Sequence, residues 1–200
     1  MPFQERYKSG NTPWEIHRAD HNLINIVRNT PIQPCKALDI GCGSGDSVIW
    51  LQQRGFEAVG IDNTEIAINQ AKEKARKAKS DCLFCELDFF GNHLPGLPYN
   101  FAFDRGCLHH FRDDKLVQFA EKVAAILRNG GLWLTLAGNA DETREGPGPP
   151  QLSARQIVNA VEPFFEILSL VARRFDTDQE IPPKNWVCLM RKKRNSSPRL

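Results

Sequence analysis

The 200-residue chain carries little net charge: 26 Lys and Arg stand against 24 Asp and Glu, a formal +2. That balance gives no argument for a nucleic-acid or anionic-membrane partner. No apolar run approaches the roughly 20 residues of a membrane span. The opening Met1-Pro2-Phe3-Gln4-Glu5-Arg6 lacks the apolar core of a secretory signal. These absences predict a cytoplasmic protein with no membrane or nucleic-acid partner. Internal repeats are absent too. Cys82 and Cys85 form the one C-x-x-C among six cysteines, and no second C-x-x-C completes a metal-ligand set. The pair lies in one strand-like run and alternates to opposite faces. The thiols are therefore expected to be structural, and no metal is expected.

What is present suits one soluble domain. Hydrophobic residues make up 41% and charged ones 25%, and a chain of this length buries roughly 70% of its unfolded surface. Thr12-Pro13-Trp14-Glu15 reads as a helix start, with Thr12 as cap, Pro13 at the first helical position and Glu15 three residues on. That helix carries Ile16, Leu23, Ile24 and Val27 as far as Pro31 and Pro34. Strand and helix patterns then alternate. Strands are expected near 36–40, 58–61, 82–87, 101–103 and 132–136, and helices near 44–54, 64–79 and 114–127, the last closing at Asn129-Gly130-Gly131. Residues 137–151, rich in Gly, Pro and charge, read as a mobile loop. Ser153 caps a helix through Val161, and runs at 165–171 and 186–190 form a hairpin.

This order predicts an α/β fold: a seven-stranded, mostly parallel sheet with an antiparallel terminal hairpin and helices on both faces. Residues 1–192 read as a single domain and 193–200 as a basic disordered tail. Lys72, Lys74, Arg76, Lys77 and Lys79 crowd one helix. They read as a solvated face, because Glu65 and Glu73 intersperse them and aromatics are absent.

The most informative stretch is Ala37-Leu38-Asp39-Ile40-Gly41-Cys42-Gly43-Ser44-Gly45-Asp46. An apolar strand ends in an acid and turns through alternate glycines into a helix, as a strand does beneath a nucleotide-like ligand. Ligands of open α/β sheets lie outside the carboxyl ends of the strands, so polar residues there form a pocket wall. Asp62 ends the second strand roughly 20 residues after Gly41, the spacing of a carboxylate that accepts from ribose hydroxyls. Asp88 follows the third strand, placed to accept from an exocyclic amine. Asp104-Arg105-Gly106 ends the fourth. Singly, each has a plainer alternative: Asp62-Asn63 as a helix cap, Asp88 as a turn. In order at successive strand ends they favour a pocket. The glycine spacing is not G-x-G-x-x-G, and no second mononucleotide half follows, which counts against a nicotinamide dehydrogenase. The turn ends Gly45-Asp46-Ser47 rather than Gly-Lys-Ser/Thr, and an acid there repels phosphate. A ligand with cationic groups and no phosphate fits, and S-adenosylmethionine is one.

Leu38-Asp39-Ile40-Gly41-Cys42-Gly43-Ser44-Gly45 resembles motif I of the class I S-adenosylmethionine-dependent methyltransferases, and Gly60-Ile61-Asp62 resembles their motif II. Glu86-Leu87-Asp88-Phe89 resembles the segment that meets adenine. The likeness spans about 36–192. It implies a Rossmann-like sheet, S-adenosylmethionine as cofactor and S-adenosylhomocysteine as product. The cofactor-binding positions implied are Trp14, Asp39, Gly41, Cys42, Gly43, Asp62, Asn63, Asp88, Phe89, Asp104 and Arg105. A narrower likeness to the thiopurine and thiol methyltransferases rests on Thr12-Pro13-Trp14-Glu15, Phe103-Asp104-Arg105-Gly106 and Gly148-Pro149-Pro150. It implies that residues 1–30 form a cap helix over the cofactor and that the acceptor is a thiol, thiopurine or chalcogen oxyanion. Leu108-His109-His110 departs from that branch and resembles the broader small-molecule methyltransferases.

Methyl transfer from a sulfonium is a direct displacement, so catalysis is alignment plus removal of a proton where the acceptor carries one. His109 and His110 follow the fourth strand and are the candidate bases. The alternative for each is capping or packing. Trp14 and His17 are expected to close the pocket, and 137–151 to act as a lid. The expected partner is a small-molecule methyl acceptor, with the chain a monomer or homodimer. The Asn/Asp-Pro-Pro-Tyr/Phe signature of nucleic-acid amino methyltransferases is absent. A non-catalytic S-adenosylmethionine sensor or partner subunit is the alternative.

Overall fold

Apolar residues on both sides of five parallel strands force helices onto both faces of the sheet. The computed structural model describes all residues except 1, 2, 31, 92, 93, 144, 145, 147 and 195–200. Two short helices, α1 (Phe3–Ser9) and α2 (His21–Asn29), precede β1 (Lys36–Ile40). Then follow α3 (Asp46–Gln52), β2 (Glu57–Asp62), α4 (Glu65–Lys77), β3 (Leu83–Glu86) and β4 (Tyr99–Arg105). A 3-10 turn (Leu108–His110), α5 (Asp113–Ile126), β5 (Leu127–Asn139), β6 (Gln151–Leu152), α6 (Ala154–Val161), β7 (Phe165–Arg174) and β8 (Lys184–Lys192) complete the chain.

The sheet order is β3-β2-β1-β4-β5-β8-β7, with the two-residue β6 beside β5 as an eighth strand. β1 pairs in parallel with both β2 and β4, so the order reverses there and a crevice opens above the ends of β1 and β4. β8 runs antiparallel between β5 and β7. One core layer joins the sheet to α5 and α6 through Leu38, Phe119, Trp133 and Ile157. The other joins it to α2, α3 and α4 through Leu23, Leu51, Ile68 and Phe103. Cys82 packs on the second layer and Cys85 on the first, on opposite faces as alternation requires, and all six thiols are free.

Three local expectations are corrected. No helix starts at Thr12. Thr12–Glu15 is a tight turn closed by the Glu15 amide on the Thr12 carbonyl (2.9 Å), and His17 takes a left-handed φ of +55° that no helix tolerates. The helix begins only after Asp20, whose carboxylate accepts the Asn22 amide as an N-cap. β5 starts at Leu127, so Asn129-Gly130-Gly131 is a bulge inside the strand that shifts its register against β4. Ala137 to Asn139 also belong to β5 rather than to a loop. The expected tail lies outside the described residues from 195 on.

Candidate active site

A cavity of about 570 Å³ sits above the carboxyl ends of β1, β2 and β4. Its floor is the glycine turn between β1 and α3. Gly41 and Cys42 both donate their amides to the Ile61 carbonyl at 2.9 Å, which clamps the turn onto the end of β2. Gly43 donates its amide to Asp62 Oδ2 (3.0 Å), and Asp62 Oδ1 accepts the Thr64 amide (2.9 Å). The φ of Gly43 is +53°, and a Cβ there would stand 2.7 Å from Glu15 Oε1 and 2.9 Å from the Tyr7 hydroxyl. Only glycine fits.

Gly41, Gly43, Asp62, Asn63, Asp88 and Phe89 all line this cavity. Burial raises the Asp62 carboxyl above its usual range despite the amides it accepts. Exposed Asp88 turns its own chain, Oδ1 accepting the Phe90 amide (3.0 Å). Phe89 is buried, its ring 4.8 Å from that of Phe119. Asp39 and Cys42 face a smaller hollow of about 60 Å³ that shares Trp14, Gly41, Gly43 and Arg105 with the cavity. Burial, then the nearby Asp104 and Asp62 carboxylates, hold the Asp39 carboxyl well above its ordinary value. Burial, followed by the Asp39 charge, likewise pushes up the Cys42 thiol.

Asp104 stands beneath the wall rather than on it. Fully buried, it accepts the amides of Cys107 (3.1 Å) and Leu108 (3.0 Å) on Oδ1 and the Trp133 indole N–H (2.9 Å) on Oδ2. Burial raises it to about 6. Above it, the 3-10 turn brings His109 and His110 to the cavity. Gly106, at φ +82°, makes room for the His109 ring, which a Cβ would meet at 3.1 Å. His109 Nδ1 accepts the Gly138 amide (2.9 Å), which puts the proton of the neutral ring on Nε2. The His110 ring lies edge-on to Phe3 (5.2 Å) and has no hydrogen bond to the described residues. Desolvation at the cavity mouth, with Arg112 and Arg6 nearby, lowers its pKa, so at neutral pH its nitrogens can accept a proton.

The roof comes from both ends of the chain. Phe3, Arg6 and Tyr7 of α1 line it with Trp14, whose indole N–H donates to the Tyr7 hydroxyl (3.1 Å). Arg6 lies 4.3 Å over the Trp14 ring. Glu15 accepts from the Tyr7 hydroxyl and from both the amide (3.1 Å) and hydroxyl of Ser44, so it seals the start of α3 from outside. Burial and that carboxylate push the Tyr7 hydroxyl far up, and it stays a donor. His17 does not line the cavity. It is exposed beside Lys74 (3.4 Å), whose ammonium also reaches Asp46 (2.5 Å) and Ser44 (2.6 Å).

From the other end come Phe175, Thr177, Gln179 and Pro183 of the β7–β8 connection, with Gly148, Pro149 and Pro150. Arg105 joins the two parts. It donates to Asp20 (2.8 Å), to the Trp14 carbonyl (3.0 Å) and to the Asp176 carbonyl (2.6 Å). The β7–β8 connection is absent from the sequence expectations. Phe3 and Tyr7, one helical turn apart, were the readable signal for α1. Asp62 and Asp88 line the cavity beside β2 and β3, and the two arginines of the lining, Arg6 and Arg105, are engaged with the Trp14 ring and with Asp20 and backbone carbonyls.

Residues 37–131 match the family model for a methyltransferase domain. The chain is 25% identical over 172 residues to a probable thiol methyltransferase 2 of Arabidopsis thaliana, covering 84% of this chain and 75% of that protein. A structure solved for conversion of a disulfide bond into a thioacetal group during echinomycin biosynthesis superposes with a TM-score of 0.79, over 92% of this chain and 86% of that one, at 21% identity. The 1,6-didemethyltoxoflavin-N1-methyltransferase of Burkholderia thailandensis was solved with 1,6-didemethyltoxoflavin and S-adenosylhomocysteine bound. It superposes at 0.73 over 96% and 86% of the two chains, at 19% identity. At those identities the two structures speak for the fold alone. With the glycine turn and the strand-end acids, the match shows that residues 37–131 are a methyltransferase domain of the class I, S-adenosylmethionine-dependent kind, in a chain that resembles the thiol methyltransferases.

Proposed function

We propose that the chain methylates a small acceptor, a thiol before other classes, inside the roofed cavity. One observation carries the reading. A cavity of about 570 Å³, roofed but open at its mouth, runs from the acid-lined glycine turn to a turn bearing two histidines. Cofactor and acceptor would share it, a size that suits a small acceptor. When bound, S-adenosylmethionine supplies an electrophilic methyl group on a sulfonium. Asp62 would accept from its ribose hydroxyls, Asp88 and Phe89 would meet its adenine, and Asp39, Arg105 and Trp14 would surround its methionine end. His110, neutral and open to the cavity, takes the proton from the acceptor, and the aromatic roof keeps water out. The likeness to a thiol methyltransferase supports sulfur as the accepting atom.

The test is incubation with methyl-labelled S-adenosylmethionine and a panel of thiophenol, 2-mercaptoethanol and hydrosulfide. S-adenosylhomocysteine and labelled methylated product, a thioether from the two organic thiols and methanethiol from hydrosulfide, are expected in equal amounts. A protein that binds S-adenosylhomocysteine yet labels none of the panel would overturn thiol methylation and favour a sensor.

A further inference from the structure

We propose that Asp104 is a positioning residue for the acceptor end of the cavity: it fixes the turn that carries His109 and His110 while touching neither cofactor nor acceptor. The inference rests on the reading above, in which that turn faces the methyl acceptor. Strand β4 ends at Arg105, and the chain must reverse within three residues to present two histidines. Gly106 supplies the left-handed step, with φ +82°. The next two amides, Cys107 and Leu108, point back toward the sheet, where water does not reach; Leu108 is fully buried. Unpaired, each would carry a desolvation penalty. Asp104 Oδ1 accepts both, at 3.1 and 3.0 Å.

Its other oxygen is held by the Trp133 indole at 2.9 Å, and that ring is wedged between Phe119 and Phe165. The carboxylate therefore cannot swing away. Two further contacts fix the turn from its other sides. The Gly138 amide donates to His109 Nδ1 (2.9 Å), and Arg112 donates to the His109 carbonyl (2.7 Å). The Cys107 and Leu108 amides and the Trp133 indole all donate to Asp104, and an ionised carboxylate accepts all three where a carboxamide cannot.

Asp104→Asn tests this. The variant is expected to bind S-adenosylhomocysteine within threefold of the natural chain by calorimetry, and to lose at least tenfold in kcat with thiophenol. Its histidine ring 15N resonances should depart from the fixed Nε2–H form of His109. Unchanged kcat with unchanged resonances would overturn the proposal, and so would a cofactor affinity that falls in proportion to kcat. If none of the three thiol acceptors is methylated by the natural chain, the methylation reading fails while the resonances still decide the role of Asp104. The natural chain offers a test that survives misfolding of the variant: the Cys107 and Leu108 amides should exchange at least a hundredfold slower than the exposed amide of Glu180. Exchange at the loop rate would overturn the proposal.

Discussion

Replacing Arg105 by alanine should open the roof, and the size of the effect follows from what the guanidinium holds. Three of its N–H groups fasten parts of the chain that are far apart in sequence: Asp20 at the α2 cap, the Trp14 carbonyl in the Thr12–Glu15 turn and the Asp176 carbonyl beyond β7. The arginine side chain is 15% exposed and that of Asp20 is 0%, so the pair is buried. Removing one partner of a buried pair costs about 3–5 kcal/mol, chiefly because the other charge stays behind. Asp20 keeps the Asn22 and Asp176 amides, which places the cost near the low end, about 3 kcal/mol.

For a domain of this size that is roughly 6–12 °C in melting temperature. Arg18 gives the comparison. It also reaches Asp176 and Asp178, at 2.6 and 2.8 Å, but its side chain is 44% exposed, so Arg18→Ala should cost no more than about 1 kcal/mol. Hydrogen exchange should quicken at residues 11–20 and 175–183 in Arg105→Ala and hardly change in Arg18→Ala. Asp20→Asn added to Arg105→Ala should restore part of the loss, because a buried amide is cheaper to leave than a buried charge. Equal losses from the two arginines, or no gain in the double variant, would refute the reasoning.

Gly43→Ala should lower affinity for S-adenosylhomocysteine at least tenfold by calorimetry, since its Cβ meets Glu15 and Tyr7 below contact distance at a strained φ. His110→Gln should cut kcat with thiols roughly hundredfold at pH 6. The loss should shrink toward pH 9, where a thiol of pKa about 8.5 ionises unaided; a pH-independent loss counts against a base. Asp104, at about 6 when folded against an ordinary 3.8, binds its proton more readily in the fold. Between those values this group adds stability as pH falls, at most about 3 kcal/mol. Of the groups facing it, Asp39 on β1 shifts in the same direction, while Cys107 and Cys188 stay protonated. Asp104→Asn should therefore flatten the rise in melting temperature from pH 6 to 4, and an unchanged slope would contradict this.

Most of the sheet could be read from the chain because β1 to β4 each carry a short, mainly apolar run with an acid at or next to its end. Lys36–Ile40 and Glu57–Asp62 are examples. Ser153 with Gln156 makes a capping box in sequence and in space. The Thr12–Glu15 turn reads as a helix start for a physical reason. Thr12 and Glu15 have capping-box spacing, yet Glu15 reaches across the fold to cap Ser44, a partner that local spacing does not reveal. Asp104 had the right residue type at a strand end, but its side chain turns under the cavity to the indole of Trp133, 29 residues on. Arg105 was expected at the cofactor, and its bonds to Asp20 and Asp176 join segments that no periodicity connects.

The most direct test of the cofactor site is calorimetric titration of S-adenosylhomocysteine into the natural chain and into Asp62→Ala. Single-site binding is expected in the first, weakened at least tenfold in the second, since Asp62 both lines the cavity and holds the Gly43 amide. Absence of heat with the natural chain, or equal affinity in both, would contradict the account.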